Sequence, residues 1–300
     1  MVMVLFIISF PATQMCVNSE LQPLSLSASL PMQVAVSSLL GIEIVNARLQ
    51  YRDSADAVLD DFTMSIPAGK WSCILGRSGC GKTTLLRYLA DLLGDKVTWS
   101  GELSISDGQP LNHRIAYMAQ QDLLLPWLTV MDNVCLSTKF SPFLKAKKNS
   151  KAVTSSPGHY LESAQKKATE LLALVGLEEY ANVFPRQLSG GMRQRVALAR
   201  TLMQDKPVVL MDEPFSALDA VTRHKLQTLS AQLLKEKTVI LITHDPQEAV
   251  RLADRLYVMQ GVPAKAISLP VPQALSPRDI DAECAALQQA IYAKLEQDHE

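Results

Sequence analysis

Leu188-Ser189-Gly190-Gly191-Met192 is the stretch that decides the fold of this chain. Taken alone it could begin a helix in any protein, and its meaning comes from what surrounds it. A glycine loop, Gly76-Arg77-Ser78-Gly79-Cys80-Gly81-Lys82-Thr83, lies well before it. An apolar run that ends in two acids, Val208-Val209-Leu210-Met211-Asp212-Glu213, lies just after it. Very few nucleotide-binding proteins place a Ser-Gly-Gly helix start between such a loop and such acids.

The glycine loop has the spacing of a phosphate-binding site. Its glycines let successive backbone N–H groups point at one phosphate, and the following helix adds the positive end of its dipole. A buried strand over Trp71–Leu75 and a helix over Thr83–Leu93 are predicted on either side, which is the context such a loop requires. Lys82 supplies charge for the β- and γ-phosphates, Thr83 is predicted to ligate Mg²⁺, and Thr84 helps to hold the α-phosphate. The residues predicted to bind nucleotide here are Gly76, Arg77, Ser78, Gly79, Cys80, Gly81, Lys82, Thr83 and Thr84.

Two acids and a histidine follow predicted buried strands. Asp212 emerges at the C-terminal end of its strand, where ligands of open α/β sheets bind, and is predicted to serve Mg²⁺. Glu213 extends one residue further and is predicted to be the general base for the attacking water. A helix cap would explain one acid, but two adjacent acids followed by Pro214 argue against it. His244 ends the apolar run 239–243 and is predicted to sense the γ-phosphate, although a lone histidine is more often structural.

The remaining pattern predicts the architecture around these motifs. Short alternating segments begin at Gly41, and continuous apolar runs at 208–211 and 239–243 are typical of strands buried on both faces of a parallel sheet. Residues 123–200 are mostly helical in pattern, with amphipathic helices over 161–175 and 192–203. A helical block between the glycine loop and the acidic strand predicts a helical subdomain inserted into an α/β core.

Composition excludes several classes of protein. The 300 residues carry a net charge of −1, which gives no sign of wholesale nucleic-acid binding. The five cysteines form no CxxC pair, so a zinc site or redox motif is not expected, and they are interpreted as reduced thiols.

Three segments stay open at this stage. Residues 1–39 are predicted to be disordered or a non-native extension, and a signal peptide or a true start at Met32 are the alternatives; the apolar stretch at 1–10 is too short to span a bilayer. The basic insert Lys139–Pro157 is either a solvated loop or a contact for lipid headgroups or an acidic partner. Residues 263–300 are predicted to be a short tail with a surface helix over about 278–295, which could instead pack on the core or mediate dimer contacts.

Together these motifs resemble the ATP-binding subunits of ABC transporters over about residues 40–262. The resemblance implies a P-loop NTPase (RecA-like) α/β core, a helical subdomain at about 122–200 and an N-terminal antiparallel β subdomain. It makes 188–192 the signature motif and 216–219 the D-loop. Gln120 matches the Q-loop glutamine, which senses Mg²⁺ and the permease, with Gln121 as the alternative register. Tyr51 would stack on adenine, unless it is only an exposed strand residue.

The family also implies how such a protein works. ATP and Mg²⁺ are its cofactors, and two subunits pair head to tail so that each ATP lies between one glycine loop and the other subunit's Ser189, Gly190 and Gly191. This agrees with the physics, because a Ser-Gly-Gly helix start is a second anion site that one nucleotide in one subunit does not need. An integral-membrane permease and a substrate-binding protein are the expected partners, at the cytoplasmic face of the cell membrane, with no nucleic acid.

Two features point within the family to one group of importers. The signature ends in Met192 where Gln is common, and Leu123-Leu124-Leu125-Pro126-Trp127-Leu128-Thr129-Val130 follows the Q-loop. Both resemble the importers for nitrate, sulfonates, taurine and hydroxymethylpyrimidine, a thiamine precursor. The alternatives are a soluble ABC ATPase in DNA repair or translation, an exporter ATPase and a generic nucleotide kinase, and the kinase leaves the signature stretch unexplained.

Overall fold

The computed structural model describes residues 39–139 and 157–298. The predictions made for residues 1–38 and for most of the Lys139–Pro157 insert fall outside these ranges. In chain order the described strands are β1 (Ile42–Tyr51), β2 (Ala57–Ile66), β3 (Trp71–Gly76), β4 (Val97–Ile105), β5 (Ile115–Met118), β6 (Val208–Asp212), β7 (Thr238–Ile242), β8 (Arg255–Gln260) and β9 (Lys265–Leu269). The described α-helices are α1 (Lys82–Leu89), α2 (Val130–Val134), α3 (Leu136–Lys139), α4 (Pro157–Leu174), α5 (Gly190–Met203), α6 (Ala220–Leu233), α7 (Pro246–Leu252) and α8 (Ala282–Gln297).

A three-stranded antiparallel sheet in the order β2-β1-β4 forms the N-terminal layer. Side chains of β1 alternate between core and solvent at its start, with Ile42 and Ile44 fully buried on one face. The register shifts between Ile44 and Ala47 in the pairing with β2 and between Val45 and Arg48 in the pairing with β4, and Ala47 returns to the buried face. The antiparallel β subdomain expected from the resemblance is therefore confirmed.

The central sheet has six strands in the order β5-β6-β7-β3-β8-β9. Its pairings are parallel from β5 to β8, and only β8 and β9 run antiparallel. Every residue of β3, β6 and β7 is buried, because helices cover one face and the antiparallel sheet together with α1 covers the other. The carboxyl ends of these three neighbouring strands lie at one edge of the sheet, where the predicted site residues follow them.

The segment between β5 and β6 carries the helical part of the fold. Helix α5 packs against α2 and α4, and their apolar faces join the core on one side of the sheet. Residues 178–180 and 185–187 form short 3-10 turns between α4 and α5. The helical subdomain expected at about 122–200 corresponds to this block.

The C-terminal part differs from its prediction as a short helical tail with a surface helix. Strand β9 lies beyond the boundary placed at residue 262 and pairs with β8, so the central sheet continues into the tail. Helix α8 starts after Asp281, which accepts a hydrogen bond from the Cys284 N–H, and ends at Gln297. Its buried Cys284, Leu287 and Ile291 pack on the core. Burial of this apolar stripe makes α8 part of the core.

Helix α1 is also shorter than the predicted 83–93. It ends at Leu89, and Asp91 has a left-handed backbone with φ of 58°. Leu93 still packs in the core, from the turn that follows the helix. Among the described helices, none combines the length and the apolar character needed to cross a bilayer.

Candidate active site

The glycine loop joins β3 to α1 at the carboxyl edge of the central sheet. Helix α1 is capped by Gly81, which has φ of 102° and supplies no side chain to the helix N-terminus. Val58 leaves no room for a side chain at this position, since a Cβ on residue 81 would lie 2.5 Å from Val58 Cγ1. The first N–H groups of α1 are therefore available to an anion. The cavity in front of the loop has a volume of about 550 Å³ and is lined by Leu75, Gly76, Arg77, Ser78, Gly79, His244, Val262 and Leu295.

Lys82 is buried beneath this loop rather than extended into solvent. Its Nζ donates hydrogen bonds of 2.7 Å to the carbonyl oxygens of Gly76 and Arg77. These contacts hold the ammonium group against the loop backbone, beside the cavity. A phosphate oxygen can take over one of these bonds because an ammonium group has three rotatable donors.

Asp212 ends β6 with its carboxylate almost completely buried, at 1% exposure. Burial raises the pKa of this carboxyl, the charge of Glu213 adds to the rise, and a hydrogen bond with the Thr83 side chain opposes it. Among the described residues, Asp212 Oδ2 has no hydrogen-bond partner. A buried carboxylate oxygen without a partner, beside a hydroxyl, is a suitable anchor for a hydrated divalent cation.

Glu213 brings together the residues that follow three strands. Its Oε2 lies 3.1 Å from Gln120 Nε2, which follows β5, and 3.1 Å from His244 Nδ1, which follows β7. The Glu213 N–H donates to the Ile242 carbonyl at 2.9 Å, and its φ of 50° is unusual for a residue with a side chain. Residues with such strained backbone conformations are concentrated at functional sites. The structure thus places Glu213, Gln120 and His244 in one cluster, and the contact favours Gln120 over Gln121 as the functional glutamine.

The signature stretch begins α5. Ser189 is its N-cap, and its Oγ accepts a hydrogen bond of 3.3 Å from the Met192 N–H. Ser189 and Gly190 are exposed, and the cavity lining contains no residue of 188–192. A Cβ on Gly190 would meet only Arg193, at 3.9 Å, whereas one on Gly191 would lie 3.2 Å from the Ala217 carbonyl. Gly190 is therefore sterically free in this chain, while Gly191 permits close approach of the segment 216–219.

Helix α5 is tied to both the glutamine and the glutamate segments. Arg193 Nε lies 3.0 Å from Asp122 Oδ2, and Arg200 donates to the carbonyl oxygens of Asp122 and Leu123. Gln194 Nε2 donates to the Glu213 carbonyl at 3.4 Å. The sequence patterns did not predict these contacts. The basic residues on the helix after Gly191 were the one feature that could have suggested ion pairs or hydrogen bonds from this helix. These hydrogen bonds and the ion pair join α5 to the segment that follows Gln120 and to the backbone of Glu213.

Tyr51 lies elsewhere, at the C-terminal end of β1. Its side chain is partly buried and packs against the core that β1 shares with the central sheet. It is not among the residues that line the cavity. Its predicted contact with adenine stays a prediction.

Comparison with known proteins places these features in a family. The model of the family described as ABC transporter matches residues 59–216, which include the glycine loop, the signature stretch and both acids. An aliphatic sulfonates import ATP-binding protein of Xanthomonas axonopodis pv. citri is 41% identical over 85% of this chain and 94% of that protein. A taurine import ATP-binding protein of Pseudomonas aeruginosa is 38% identical over 78% of this chain and 84% of that protein.

Two further proteins extend this comparison. An uncharacterized ABC transporter ATP-binding protein of Haemophilus influenzae is 37% identical over 81% of this chain and 94% of that protein. Among solved structures, a dimeric ATP-binding cassette in a post-hydrolysis state, bound to ADP and Pi, superposes with a TM-score of 0.61. It is 30% identical, and the match covers 80% of this chain and 100% of the other.

Proposed function

We propose that Glu213 is the general base of this chain, which belongs to the ABC transporter family and is an ATP-binding, ATP-hydrolysing subunit of an importer for a small solute. The contact of Glu213 Oε2 with both Gln120 and His244, each at 3.1 Å, carries this proposal. A carboxylate at a strand end with two polar neighbours can accept a proton from a water molecule that attacks the γ-phosphate.

The surrounding residues divide the work of hydrolysis. The N–H groups of the glycine loop and the N-terminus of α1 bind the phosphates, and Lys82 adds a mobile positive charge. Glu213 accepts the proton of the attacking water, while Gln120 and His244 hold its carboxylate and the water in line with the γ-phosphate. The bond between the γ-phosphorus and the bridging oxygen breaks, which yields ADP and phosphate.

Thr83, Asp212 and Gln120 are the residues that would hold Mg²⁺ beside the phosphates. The buried Oδ2 of Asp212, which has no hydrogen-bond partner among the described residues, and the Thr83 side chain beside this carboxyl group support the assignment. A bound Mg²⁺ supplies charge neutralisation on the β- and γ-phosphate oxygens. Carboxylate, hydroxyl and amide oxygens are hard ligands suited to this ion.

The signature stretch serves a nucleotide held by a second copy of the chain. Ser189 and Gly190 are exposed at a helix N-terminus and lie outside the lining of the phosphate cavity of their own chain. In a head-to-tail pair they would cover the ATP on the partner subunit's loop, with Gly191 and the segment 216–219 at the junction. ATP binding would close the pair and hydrolysis would open it, as a shift between two arrangements.

A sulfonate, of the alkyl or taurine type, is the proposed solute. The import proteins of Xanthomonas axonopodis pv. citri and Pseudomonas aeruginosa named above support this class over hydroxymethylpyrimidine and nitrate. Within the complete importer the chain would bind an integral-membrane permease, in concert with a substrate-binding protein, at the cytoplasmic face of the membrane. Tyr51 would stack on the adenine of ATP.

Replacement of Glu213 by Gln tests the assignment of the base. We expect ATP to bind as in the wild type while turnover falls by about 10²- to 10⁴-fold, since the amide cannot accept the proton. Glu236→Gln, the same change at an exposed position, is the matched control and should hydrolyse ATP normally. Turnover of Glu213→Gln close to that of the control would contradict the assignment.

Uptake by cells that carry the assembled importer tests the solute. Growth on taurine or an alkyl sulfonate as sole sulfur source should depend on this chain and be lost in Glu213→Gln. Growth that depends on the chain only when hydroxymethylpyrimidine or nitrate is limiting would overturn the sulfonate proposal while leaving the ATPase intact.

A further inference from the structure

Helix α8 ends against the glycine loop, and this contact has no role in the mechanism described so far. Arg77, the second residue of the loop, directs its guanidinium group at Asp298, the residue that caps the C-terminus of α8. Arg77 Nε lies 3.3 Å from Asp298 Oδ2, and the guanidinium also donates to the Asp298 carbonyl at 3.3 Å. The Arg77 guanidinium thus contacts both the side-chain carboxylate and the backbone carbonyl of Asp298.

Asp298 is itself fixed from a second side. Its Oδ1 accepts a hydrogen bond of 2.6 Å from the Gly261 N–H in the turn between β8 and β9. Gln260 of β8 donates to the Lys294 carbonyl one turn earlier in α8. The Asp298 side chain is only 6% exposed, compared with 33% for Arg77. The carboxylate is therefore the fixed member of this pair, and the guanidinium is the one that can move.

The helix that carries Asp298 is held in place by the core. Cys284 and Ile291 of α8 are at most 1% exposed, and both side chains pack in the core. Leu295, in the last turn, lines the phosphate cavity together with Val262 of the β8–β9 turn. The end of α8 is thus a wall of the cavity that faces the loop.

We propose that Asp298 is a positioning residue that withholds the Arg77 guanidinium from the bound phosphates. Three attractions hold the guanidinium on the helix: the carboxylate, the carbonyl, and the negative end of the α8 dipole. Arg77 lies between Gly76 and Ser78, at the lining of the phosphate cavity. Once released, its charge would add directly to phosphate binding, since guanidinium groups match phosphate oxygens well. The contact keeps nucleotide affinity moderate, which favours release of ADP.

The inference rests on the proposed role of the glycine loop and is tested by the affinity for ADP. Full-length protein is titrated with ADP and Mg²⁺ by calorimetry. Replacing Asp298 by Asn should lower the Kd for ADP by about three- to tenfold, the effect expected of one added charge near a phosphate. Glu296→Gln removes the same charge from an exposed position in the same helical turn and should change the Kd by less than about twofold.

A second background separates positioning from long-range charge. In Arg77→Gln there is no guanidinium to release, so adding Asp298→Asn should change the Kd by less than about twofold. A general electrostatic effect of Asp298 would shift the Kd equally in both backgrounds and would overturn the proposal. A purely structural role would lower the thermal unfolding midpoint of Asp298→Asn without tightening ADP, which would overturn it as well.

Steady-state hydrolysis gives a further check. Asp298→Asn should lower the KM for ATP while the chemical step is unchanged, so that kcat falls only if ADP release limits turnover. If Asp298→Asn does not fold, Arg77→Lys replaces it: lysine keeps the charge but lacks the planar guanidinium whose Nε and Nη1 contact the Asp298 carboxylate and carbonyl together, so a weaker hold and tighter ADP binding are again expected. Wild-type protein that fails to bind ADP would refute the phosphate-loop assignment, whereas equal Kd values for Asp298→Asn and Glu296→Gln would refute only the role of Asp298.

Discussion

The described residues include two helix starts suited to phosphate, those of α1 and α5, and they differ in their surroundings. Helix α1 begins at Gly81 without a side-chain cap, beside a cavity of about 550 Å³ and above a buried lysine. Helix α5 begins at Ser189, which caps it with its own hydroxyl, and Ser189 and Gly190 are exposed away from the cavity lining. The N-terminus of α1 faces a cavity of its own chain. The N-terminus of α5 has the same type of N–H donors, but they face solvent. This difference is the one that a nucleotide site shared between two subunits, as proposed above, requires.

Removing the charge at the first helix start should have the largest effect on nucleotide binding. Lys82→Ala deletes the donor that lies 2.7 Å from two loop carbonyls, and we expect the Kd for ATP to rise by about 10- to 100-fold. Calorimetry on the isolated chain measures this directly. Lys70→Ala, an exposed lysine on the turn before β3, is the control and should bind ATP as the wild type does. Unchanged affinity of Lys82→Ala for ATP would contradict the role of the first helix start in phosphate binding.

A charge at the second helix start should affect hydrolysis and leave binding to the isolated chain intact. Gly190→Asp fits the chain, since a Cβ there meets only Arg193 at 3.9 Å, and an acid in the first turn of a helix is favourable. Facing a γ-phosphate, the same acid would be repelled, so we expect the ATPase rate to fall by about 10- to 50-fold. The Kd for ATP of the separate subunit should stay within about twofold of the wild type. A Gly190→Asp chain that loses ATP affinity as Lys82→Ala does would place both helix starts in one subunit's site.

Helix α7, which lies behind the first site, should leave nucleotide binding unchanged and instead make stability depend on pH. Helix α7 begins two residues after His244 and carries Glu248, whose pKa is raised to about 8, first by burial and then by the charge of Asp245. Because the folded pKa lies above the unfolded one, the stability that Glu248 contributes is complete at low pH and is lost as pH rises towards 8.

Glu248→Gln does not titrate, so it reports this loss. Between about pH 4.5 and pH 8 the free energy of unfolding of the wild type should fall relative to that of Glu248→Gln, by at most about 1.4 kcal/mol per pH unit. Urea unfolding at pH 5 and pH 8 measures the difference, and Glu236→Gln, exposed in the turn before β7, should follow the wild type at both. Parallel behaviour of wild type and Glu248→Gln across this range would show that Glu248 is ionised in the folded protein.

Much of the site could be predicted from the sequence because its parts are local. The order of strand, glycine loop and helix depends on residues 71–93 alone, and Asp212 and His244 follow apolar runs whose direction in a parallel sheet sets their position. The contact of Gln120 with Glu213 depends on β5 and β6 being neighbours, which the sequence patterns did not predict, and only the resemblance singled out Gln120. Contacts such as Arg193 with Asp122 could not be predicted, since they join polar side chains of residues that lie 71 positions apart in the sequence.

The tail shows where the patterns were too weak. Strand β9 is nowhere fully buried, so it lacks the continuous apolar run that marks β3 or β6. Helix α8 has an apolar stripe at Cys284, Leu287 and Ile291, with the spacing of one helix face, yet its charged surroundings favoured a surface helix. Its contact with Arg77 through Asp298 depends on where the end of the helix comes to rest, which is a property of the whole fold.

The mass of the Glu213→Gln protein with and without ATP and Mg²⁺ tests the shared site most directly. Sedimentation should show one chain per particle without nucleotide and two with ATP, since ATP binds but is not hydrolysed. Glu213→Gln combined with Gly190→Asp should bind ATP with unchanged affinity and remain a single chain. A pair that forms equally well with Gly190→Asp, or a single chain at saturating ATP without that change, would contradict a site divided between two subunits.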